Sequence, residues 1–530
     1  MEAADLISVK DASQWASTHL GKTVSPSNIS YLVQYGRIRK FAQDGAVLVS
    51  KSELHDYYRS NMIDRKKSWK EQLGDDLNWA LSFEQYKEAE TTKHVHRLHP
   101  YKGKFIPQLV EYFLDSHTDK FKSESFFSAG DIVLDPFAGS GTTLVQANEL
   151  GLHAIGIDVS AFNVMMSGSK VGKYDFSDIQ KEVDKITKAL NHLLQQTKSG
   201  EFEERLLGEL NKFNSKYFPS PDYKYKLRNK TIDEKTYAPD KEKMFLPIYQ
   251  SLVETYKIEL LQDDPQSFLD KWFIKHIRDE IELAFAEIKK VSNPSTKKIL
   301  AIILSRTIRS CRATTHADLA TLNEPVSSTY YCAKHGKICK PLFSIVKWWN
   351  SYTKDTIKRL RQFDRLRTNT MQVCITGDSR NVDILSQVTS INPRFADLVQ
   401  TQKIKGIFTS PPYVGLIDYH EQHAYAYDLF GFDRKDDLEI GPLFKGQGKE
   451  AQRDYVKGIS QVLINCKKYL VEDFDVFIVS NDKYNLYPSI AELAGMKIVN
   501  SYKRPVLNRT EKDKNAYSEI IFHLKNAELR

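Results

Sequence analysis

The segment Asp131-Ile-Val-Leu-Asp-Pro-Phe-Ala-Gly-Ser-Gly-Thr-Thr143 decides the fold of this chain. Its apolar start predicts a buried strand, and Gly139 and Gly141 allow a tight loop before a helix whose first N–H groups can face an anionic ligand. A second apolar strand, residues 154–157, ends at Asp158, where a carboxylate can accept hydrogen bonds from both hydroxyls of a ribose. Strand, helix and strand form a βαβ unit, so the sequence predicts a parallel α/β sheet.

The glycine loop differs from two familiar nucleotide-binding loops. A dinucleotide site has a third glycine in G-x-G-x-x-G, which is missing here. A P-loop has a lysine directly after its last glycine, where this chain has Thr142. The loop therefore matches neither of these two nucleotide-binding motifs.

A second decisive segment, Thr409-Ser-Pro-Pro-Tyr413, follows the apolar strand 404–408. The exocyclic amine of a nucleic acid base is a poor nucleophile, because its lone pair is delocalised into the ring, so an enzyme must hold acceptors against its N–H bonds. Two prolines fix the backbone with carbonyls turned outward. The Ser410 side chain and the Pro411 carbonyl can supply the acceptors, and Tyr413 can stack on an extruded base. The candidate catalytic residues are Ser410, Pro411, Pro412 and Tyr413.

Together these segments resemble the S-adenosylmethionine-dependent methyltransferases that modify amino groups of nucleic acid bases. The segment from Asp135 to Thr142 is similar to motif I of that family, and Ser410–Tyr413 to motif IV of the DNA amino-methyltransferases. In the family, serine at the first position of motif IV mostly accompanies cytosine N4 activity, whereas aspartate or asparagine mostly accompanies adenine N6 activity. The resemblance implies S-adenosyl-L-methionine as cofactor. It also implies methyl transfer to N4 of a cytosine flipped out of duplex DNA, with adenine N6 as the alternative.

The chain lacks the dipeptide that cytosine carbon-5 methyltransferases use. Those enzymes attack the base with a thiolate carried in a Pro-Cys pair, and no cysteine here follows a proline. Direct transfer without a covalent enzyme intermediate is therefore implied.

Two further segments resemble motifs of the same family. Residues 94–109 are similar to motif X, which packs on the methionine end of the cofactor, and Val373–Ser379 resembles the strand-end acid of motif III, which in relatives contacts the adenine amino group. The segment after Tyr413, residues 418–427, has aromatic and polar groups that can line a base pocket or simply form an amphipathic helix. The cofactor residues that the resemblance implies are Tyr101, Lys104, Phe105, Asp135, Phe137, Ala138, Gly139, Ser140, Gly141, Thr142, Asp158, Asp378 and Ser379.

The length of 530 residues predicts several domains, since single hydrophobic cores rarely grow beyond roughly 250–300 residues. We predict a Rossmann-like methyltransferase sheet, mostly parallel and with seven strands, whose cofactor half spans residues 66–169 and whose catalytic half spans 371–530. Residues 170–370 are read as a helical insertion and a possible target recognition region. Residues 1–65, with two helices, a hairpin and a closing helix, resemble a winged helix-turn-helix module; a protein-binding adaptor is the alternative.

Three arginines in the insertion, Arg306, Arg309 and Arg312, are spaced three residues apart. They would share one side of a helix over residues 301–312 and are our candidates for contact with DNA phosphates. The alternative is that they face water or acidic side chains.

The motif Cys332-x2-His335-x3-Cys339 offers three of the four ligands that zinc prefers. The alternative is a loop with partly buried cysteines beside a surface histidine, and on that interpretation we predict no bound metal. The five cysteines of the chain are odd in number and mostly isolated, which argues against a disulfide framework.

The composition, 41% hydrophobic and 27% charged with a formal net charge of +8, is that of a globular protein and permits a polyanionic partner. No signal peptide or membrane-spanning run is evident, so we expect a cytoplasmic protein that does not bind membranes. Duplex DNA is the expected partner, with a cognate restriction endonuclease as a possible second one. The remaining alternatives are an RNA base amino-methyltransferase and a catalytically silent DNA-binding regulator.

Overall fold

A computed structural model of the chain describes residues 5–21, 23–43, 45–60, 71–74, 77–261, 266–315, 324–341, 344–506 and 516–528. The chain forms two compact units. The first comprises Met1–Gln72, Leu190–Glu280 and Ser310–Ile345, and the second comprises Leu73–Ala189, Ile281–Arg309 and Val346–Arg530. None of the helices in the described ranges is long and apolar enough to cross a membrane.

The strands of the described residues are short except near the carboxyl terminus. They are β1 Leu6–Ser8, β2 Phe41–Gln43, β3 Ala46–Ser50, β4 Ile132–Asp135, β5 His153–Asp158, β6 Tyr330–Cys332, β7 Lys337–Cys339, β8 Gln372–Thr376, β9 Ile404–Thr409, β10 Leu470–Ser480, β11 Met496–Pro505 and β12 Ser518–Asn526.

Helices connect these strands and fill most of the central region. The α-helices are Val9–Leu20, Pro26–Gln34, Lys51–Tyr58, Glu88–Thr91, Pro107–Leu114, Thr142–Glu149, Ala161–Val171, Phe176–Thr197, Ser199–Tyr217, Asp222–Arg228, Glu234–Tyr256, Phe268–Trp272, Lys275–Lys289, Pro294–Arg309, Val346–Asp364, Ile384–Ile391, Pro393–Gln402, Tyr419–Gln422, Ala424–Phe430, Lys449–Lys467 and Tyr487–Leu493. Short 3-10 helices occupy Trp79–Ser82, His94–Arg97, Asp436–Leu438 and Leu443–Lys445.

The second unit is built around a seven-stranded sheet with the strand order β11-β12-β10-β9-β4-β5-β8. The pairs from β10 to β8 are parallel, whereas β12 runs antiparallel to both β10 and β11. This arrangement confirms the predicted Rossmann-like sheet. The chain leaves β4 towards β5 and β8 on one side and later returns to β9 on the other side, which makes the carboxyl ends of β4 and β9 a topological switch point. Open α/β sheets bind their ligands at such points.

The central strands of this sheet are buried on both faces. The burial explains why β4 reads as a continuous apolar run rather than an alternating one. Helices pack over the sheet, and the shared core includes Ile132, Leu134, Ile155, Ile157, Ile407, Val476 and Ile478.

The first unit contains the N-terminal module, whose order of helix, helix, hairpin and helix agrees with the predicted pattern. The second helix begins as predicted at Pro26, where the side chain of the preceding Ser25 accepts from the backbone N–H of Asn28 in a capping box. β1 and β2 pair with opposite edges of β3. Buried Ala16, Ile29 and other apolar residues form its core. Its assignment as a winged helix-turn-helix stays a prediction.

The two units divide the chain differently from the predicted domain boundaries. Residues 190–280 and 310–345 of the insertion belong to the first unit, whereas its other residues, including 281–309, belong to the unit that contains the sheet. In that second unit, Trp349 donates through Nε1 to Oγ1 of Thr187 over 3.0 Å, which joins two insertion helices. Amphipathic spacing predicts such helices but not which surface each one covers. The predicted boundary at residue 65 lies outside the described residues.

Candidate active site

Two sequence segments meet at the switch point between β4 and β9. Thr409, the last residue of β9, donates through Oγ1 to Oδ1 of Asp135, the last residue of β4, over 2.7 Å. Thr143 donates through Oγ1 to the carbonyl of Phe408 at 3.3 Å. These bonds hold the start of the Ser410–Tyr413 tetrapeptide next to the glycine loop, so the topology brings the predicted cofactor and catalytic segments together.

Asp135 is buried between the strand ends. Its Oδ1 also accepts the backbone N–H of Phe137 at 3.1 Å. Burial raises the pKa of Asp135 to about 6, although hydrogen bonds from Thr409, Thr143 and Phe137 lower it. Asp135 is not among the residues that line the cavity described below. Asp135 therefore ties the ends of β4 and β9 together, and its contact with the cofactor stays a prediction.

We expect Asp135→Asn to change the pH dependence of stability. The pKa of about 6 in the folded state lies above the ordinary value of 3.8 for an aspartate, so ionisation of Asp135 costs stability as the pH rises from about 4 to about 6. A difference of about two pKa units corresponds to about 3 kcal/mol. The amide does not titrate, so its free energy of unfolding relative to wild type should be higher at about pH 8 than at about pH 4. Denaturant unfolding at both pH values measures this difference, and an equal difference at both would contradict the expectation.

Gly139 and Gly141 serve different purposes in the glycine loop. Both have a positive φ, 47° for Gly139 and 73° for Gly141. A Cβ on Gly139 would lie 2.8 Å from the hydroxyl of Tyr101, and a Cβ on Gly141 would lie 2.6 Å from Cβ of Ser167. Gly139 therefore permits close approach beneath Tyr101, whereas Gly141 permits close packing of the helix Ala161–Val171.

Asp158 ends β5, as predicted, and holds the glycine loop from the neighbouring strand. Its carboxylate accepts the backbone N–H of Gly139 at 2.8 Å and of Ser160 at 2.9 Å, and the side-chain amide of Asn163 at 3.1 Å. Burial raises the pKa of Asp158, although these hydrogen bonds lower it. Oδ1 of Asn163 is buried and has no hydrogen-bond partner in the described part of the chain. This oxygen can accept a hydrogen bond from a ligand.

A cavity opens at the switch point. We call it the cofactor cavity, and the predicted cofactor residues in its wall are Tyr101, Lys104, Phe105, Phe137, Ala138, Gly139, Ser140, Thr142, Asp158, Asp378 and Ser379. Ser410 and Pro412 line the same cavity. Gly141, Pro411 and Tyr413 adjoin these residues in sequence but are not in its wall.

The motif X segment covers one side of the cavity. The ring of Tyr101 stacks on Tyr419 and His423, with centroid distances of 5.9 and 5.7 Å. Lys104 donates to the carbonyl of His96 at 2.6 Å. Burial, followed by the charge of neighbouring arginines, lowers the pKa of Lys104 to about 8. The ammonium of Lys104 therefore stabilises the fold of its own segment.

Asp378 and Ser379 follow β8 at a third strand end. Nε of Arg380 donates to both carboxylate oxygens of Asp378, at 2.9 Å each. Oγ of Ser379 donates to the carbonyl of Pro136 at 2.7 Å. Arg380 therefore orients the Asp378 carboxylate, and Ser379 ties this loop to the glycine loop.

Tyr413 is held by the antiparallel end of the sheet. Its hydroxyl donates to Oε1 of Glu519 on β12 at 3.1 Å, and Oε2 of Glu519 accepts from Nε of the buried Arg504 on β11 at 3.1 Å. Burial and the charge of Glu519 raise the pKa of Tyr413 well above its ordinary value. The phenol therefore stays protonated and is held by Glu519.

Several residues of this site lie outside the sequence motifs that predict it. Glu439 lines the cavity and accepts the backbone N–H of the buried His420 at 2.8 Å and a hydrogen bond from its ring. Tyr419 and His420 belong to the aromatic segment that follows the tetrapeptide, which was the available signal. Asn163, Glu439 and Glu519 lie in segments without a motif, and only the fold brings them to the site.

The three insertion arginines do not share a solvent-exposed helix side. The helix ends at Arg309 rather than at residue 312. Arg306 is buried, pairs with Asp355 at 2.7 Å and lies over the ring of Tyr352. Arg312 is also buried. Arg309 lies close enough to His423 that its charge, together with burial of the histidine, lowers the pKa of His423 to about 4. The helix Pro294–Arg309 is buried around most of its surface, so helical spacing alone misleads. Burial of Arg306 and Arg312 does not fit phosphate contact, and contact by Arg309 stays a prediction.

The sheet order, the glycine loop with its strand-end acid, and the tetrapeptide in the same cavity define the class of protein. This is an S-adenosyl-L-methionine-dependent methyltransferase fold with a motif for base amino groups. The model of the DNA methylase family matches residues 9–167. The Type II methyltransferase M.MjaII of Methanocaldococcus jannaschii is 47% identical over 539 residues, which cover 99% of this chain and 98% of that protein. The chain therefore belongs to the family of DNA amino-methyltransferases.

Shorter similarities agree with this assignment. The Type II methyltransferase M.BsoBI of Geobacillus stearothermophilus is 27% identical over 223 residues, 38% of this chain and 42% of that protein. The Type II methyltransferase M.MvaI of Kocuria varians is 30% identical over 105 residues, 20% of this chain and 22% of that protein.

The residues of the cofactor cavity fit S-adenosyl-L-methionine, the cofactor of this family. The cofactor carries positive charge at its sulfonium and ammonium groups, and the carboxylates of Asp158, Asp378 and Glu439 line the cavity. A ribose hydroxyl is a suitable donor for the unpartnered Oδ1 of Asn163. The absent Cβ of Gly139 leaves the loop backbone close to the cavity.

Proposed function

We propose that this protein transfers a methyl group to the exocyclic N4 amine of cytosine in duplex DNA. The observation that carries the proposal is the position of Ser410, which follows β9 directly and lines the same cavity as Gly139 and Asp158. A serine hydroxyl stands where the adenine N6 enzymes of this family mostly have aspartate or asparagine. The residue at this position therefore supports cytosine as the target.

The tetrapeptide can activate an amine by holding it. S-adenosyl-L-methionine supplies an electrophilic methyl group when it is bound. Oγ of Ser410 and the carbonyl of Pro411 accept hydrogen bonds from the two N–H groups of the target amine, which favours positive charge on the nitrogen as the reaction proceeds. Pro411 and Pro412 keep this backbone fixed, and the ring of Tyr413 packs against the flipped base.

The cofactor is proposed to bind across three strand ends. Asp158 and Asn163 hold the ribose hydroxyls, while the glycine loop provides backbone N–H groups. Asp378, oriented by Arg380, holds the adenine amino group. Tyr101 and Phe105 cover the methionine end.

The first unit is proposed to recognise the target sequence, with the N-terminal module and part of the insertion acting together. Within this unit, a Cβ on Gly36 would lie 2.7 Å from the backbone of Lys224. Nε of Arg228 donates to the carbonyl of Tyr35 at 3.0 Å. The module is therefore packed on the helix Asp222–Arg228. A role in restriction–modification, with a cognate endonuclease, is part of this proposal.

The hydroxyl of Tyr413 is expected to matter for turnover rather than for cofactor binding. Tyr413→Phe keeps the ring but removes the bond to Glu519, so kcat should fall about tenfold, or about 1.4 kcal/mol of transition-state stabilisation. Glu519→Gln should cause a similar loss, and the double variant should lose no more than the more impaired single variant, because both act through one contact. Single-turnover methylation kinetics measure these rates. Losses that multiply in the double variant would contradict a shared role.

The proposed function is tested by transfer of labelled methyl groups to altered DNA. Duplex DNA copied with N4-methyldeoxycytidine in place of deoxycytidine should no longer accept label, whereas DNA copied with N6-methyldeoxyadenosine should still accept it. The opposite result would assign the activity to adenine. Label transferred to RNA but not to either DNA would refute a DNA substrate.

A further inference from the structure

Three groups of side chains in the described part of the chain place possible metal-binding atoms within 4.8 Å of one another. The groups are His94 with His96 and Glu149, His420 with Asp436 and Glu439, and Cys332 with His335 and Cys339. Lys93 pairs with Glu149 at 2.7 Å, and Arg434 pairs with Asp436 at 2.7 Å. Cations of the protein already neutralise a carboxylate in each of the first two groups, which leaves the cysteine group as the strongest metal site.

The fold of a small hairpin brings the cysteine group together. β6 and β7 pair antiparallel, with Cys332 opposite Lys337 and Tyr330 opposite Cys339, so the two cysteines are diagonal neighbours on one face. His335 lies in the connecting turn, and its Nδ1 is 3.3 Å from Sγ of Cys339. The turn folds back through the N–H of Gly336, which donates to the carbonyl of Cys332 at 2.7 Å.

We propose that Cys332, His335 and Cys339 bind a zinc ion. Two thiolates and a neutral imidazole balance a doubly charged ion and have the softness that zinc prefers over calcium or magnesium. Zinc bonds of about 2.3 Å to sulfur and about 2.0 Å to nitrogen place tetrahedral ligand atoms about 3.5–3.8 Å apart. The observed separations are all within 4.8 Å, and the pair formed by Nδ1 of His335 and Sγ of Cys339 is 3.3 Å apart, so only small adjustments are needed. The fourth position is taken by a water molecule or a further side chain.

The hairpin has little apolar core of its own to stabilise the face with the cysteines. Its buried cluster consists of Tyr330, Cys332 and Cys339, with Val326 packed against it. Two strands of three residues are marginal in isolation. Ile338 is anchored by Asn214, which hydrogen-bonds to both its N–H and its carbonyl at 2.9 Å. A zinc ion would fix the other face.

The same turn is joined to the N-terminal module through Lys224. Nζ of Lys224 donates to the carbonyl of Lys334 at 2.8 Å and lies 4.2 Å from the centre of the Tyr35 ring. The side chain of Lys224 also lies 3.0 Å from the position of a Cβ on Gly336. Zinc would therefore stabilise the turn against which the helix Asp222–Arg228 and the module are packed.

The proposal is tested by metal analysis of the purified, full-length protein. Elemental analysis after desalting should find about one zinc ion per chain, and Cys332→Ala, His335→Ala and Cys339→Ala should each lose most of it. Cys311→Ala is the matched control, because Cys311 is buried in the same unit but is not in the cluster. This control should keep its zinc. Replacement by Co²⁺ should give thiolate charge-transfer absorption that weakens in each single cysteine variant.

A normal affinity for S-adenosyl-L-methionine excludes global unfolding of a variant. Because the cofactor cavity belongs to the other unit, loss of zinc alone should leave this affinity unchanged. A variant that binds cofactor normally but lacks zinc supports the site. Wild-type protein that contains no zinc and takes up no Co²⁺ would overturn it. So would equal zinc loss in Cys311→Ala, or a Cys332–Cys339 disulfide in peptides from alkylated, unreduced protein.

Discussion

Ser410→Ala is expected to lower kcat for DNA methylation about 100- to 1000-fold, the loss typical of removing one preorganised hydrogen-bonding group that stabilises charge in the transition state. The reason is that Oγ of Ser410 would accept a hydrogen bond from an N–H group of the target amine, and the alanine side chain has no acceptor. The cofactor Kd should change little, because the residues proposed to hold the ribose and adenine remain. Steady-state methylation of duplex DNA and calorimetric cofactor binding measure the two quantities.

The matched control for this variant is Ser390→Ala. Ser390 is an exposed residue on the helix Ile384–Ile391, and its Oγ donates only to a carbonyl of its own helix, that of Gln387. Its kcat should equal that of wild type. A Ser410→Ala enzyme with near-normal kcat would contradict the role assigned to Ser410.

Asp158→Asn is expected to raise the Kd for S-adenosyl-L-methionine about 10- to 100-fold. Hydrogen bonds to a charged group contribute roughly 1.5–3 kcal/mol each, and the amide cannot accept at both of its polar atoms. In the wild-type protein the carboxylate also accepts the backbone N–H groups of Gly139 and Ser160 at 2.8 and 2.9 Å. The single amide oxygen of the variant would have to accept these hydrogen bonds as well. Isothermal titration calorimetry measures the affinity.

Asp397→Asn provides the comparison for Asp158→Asn. Asp397 is exposed on the helix Pro393–Gln402, and its substitution by asparagine removes the same formal charge. Its cofactor Kd should stay at the wild-type value. An unchanged Kd in Asp158→Asn would show that this carboxylate holds the loop but not the cofactor.

The sheet and the centre of the site were predictable because their physical requirements are local. The apolar run before Gly139, the acid at the end of β5 and the Pro-Pro step after β9 each follow a strand directly, and parallel strands bring their carboxyl ends to one edge. The expected seven strands and the cofactor are confirmed. The base that accepts the methyl group stays a proposal.

Predictions that depended on packing were less successful. Arg306 has the spacing of a surface stripe, yet it pairs with Asp355 inside the second unit. Asp135 belongs to the glycine-loop motif and also hydrogen-bonds to Thr409 across the sheet, a contact that the motif does not indicate. Glu519 reaches Tyr413 only because β12 inserts antiparallel beside β10. Contacts between residues distant in sequence decide each case, and periodicity within one segment carries no information about them.

The central claim is tested most directly by identifying the methylated nucleoside. Unmethylated duplex DNA is incubated with the purified protein and S-adenosyl-L-methionine labelled in its methyl group, digested to nucleosides and analysed by mass spectrometry, with Ser410→Ala in parallel. The predicted result is label in N4-methyldeoxycytidine that is strongly reduced with the variant. Label in N6-methyldeoxyadenosine, or no label in DNA, would contradict the proposal.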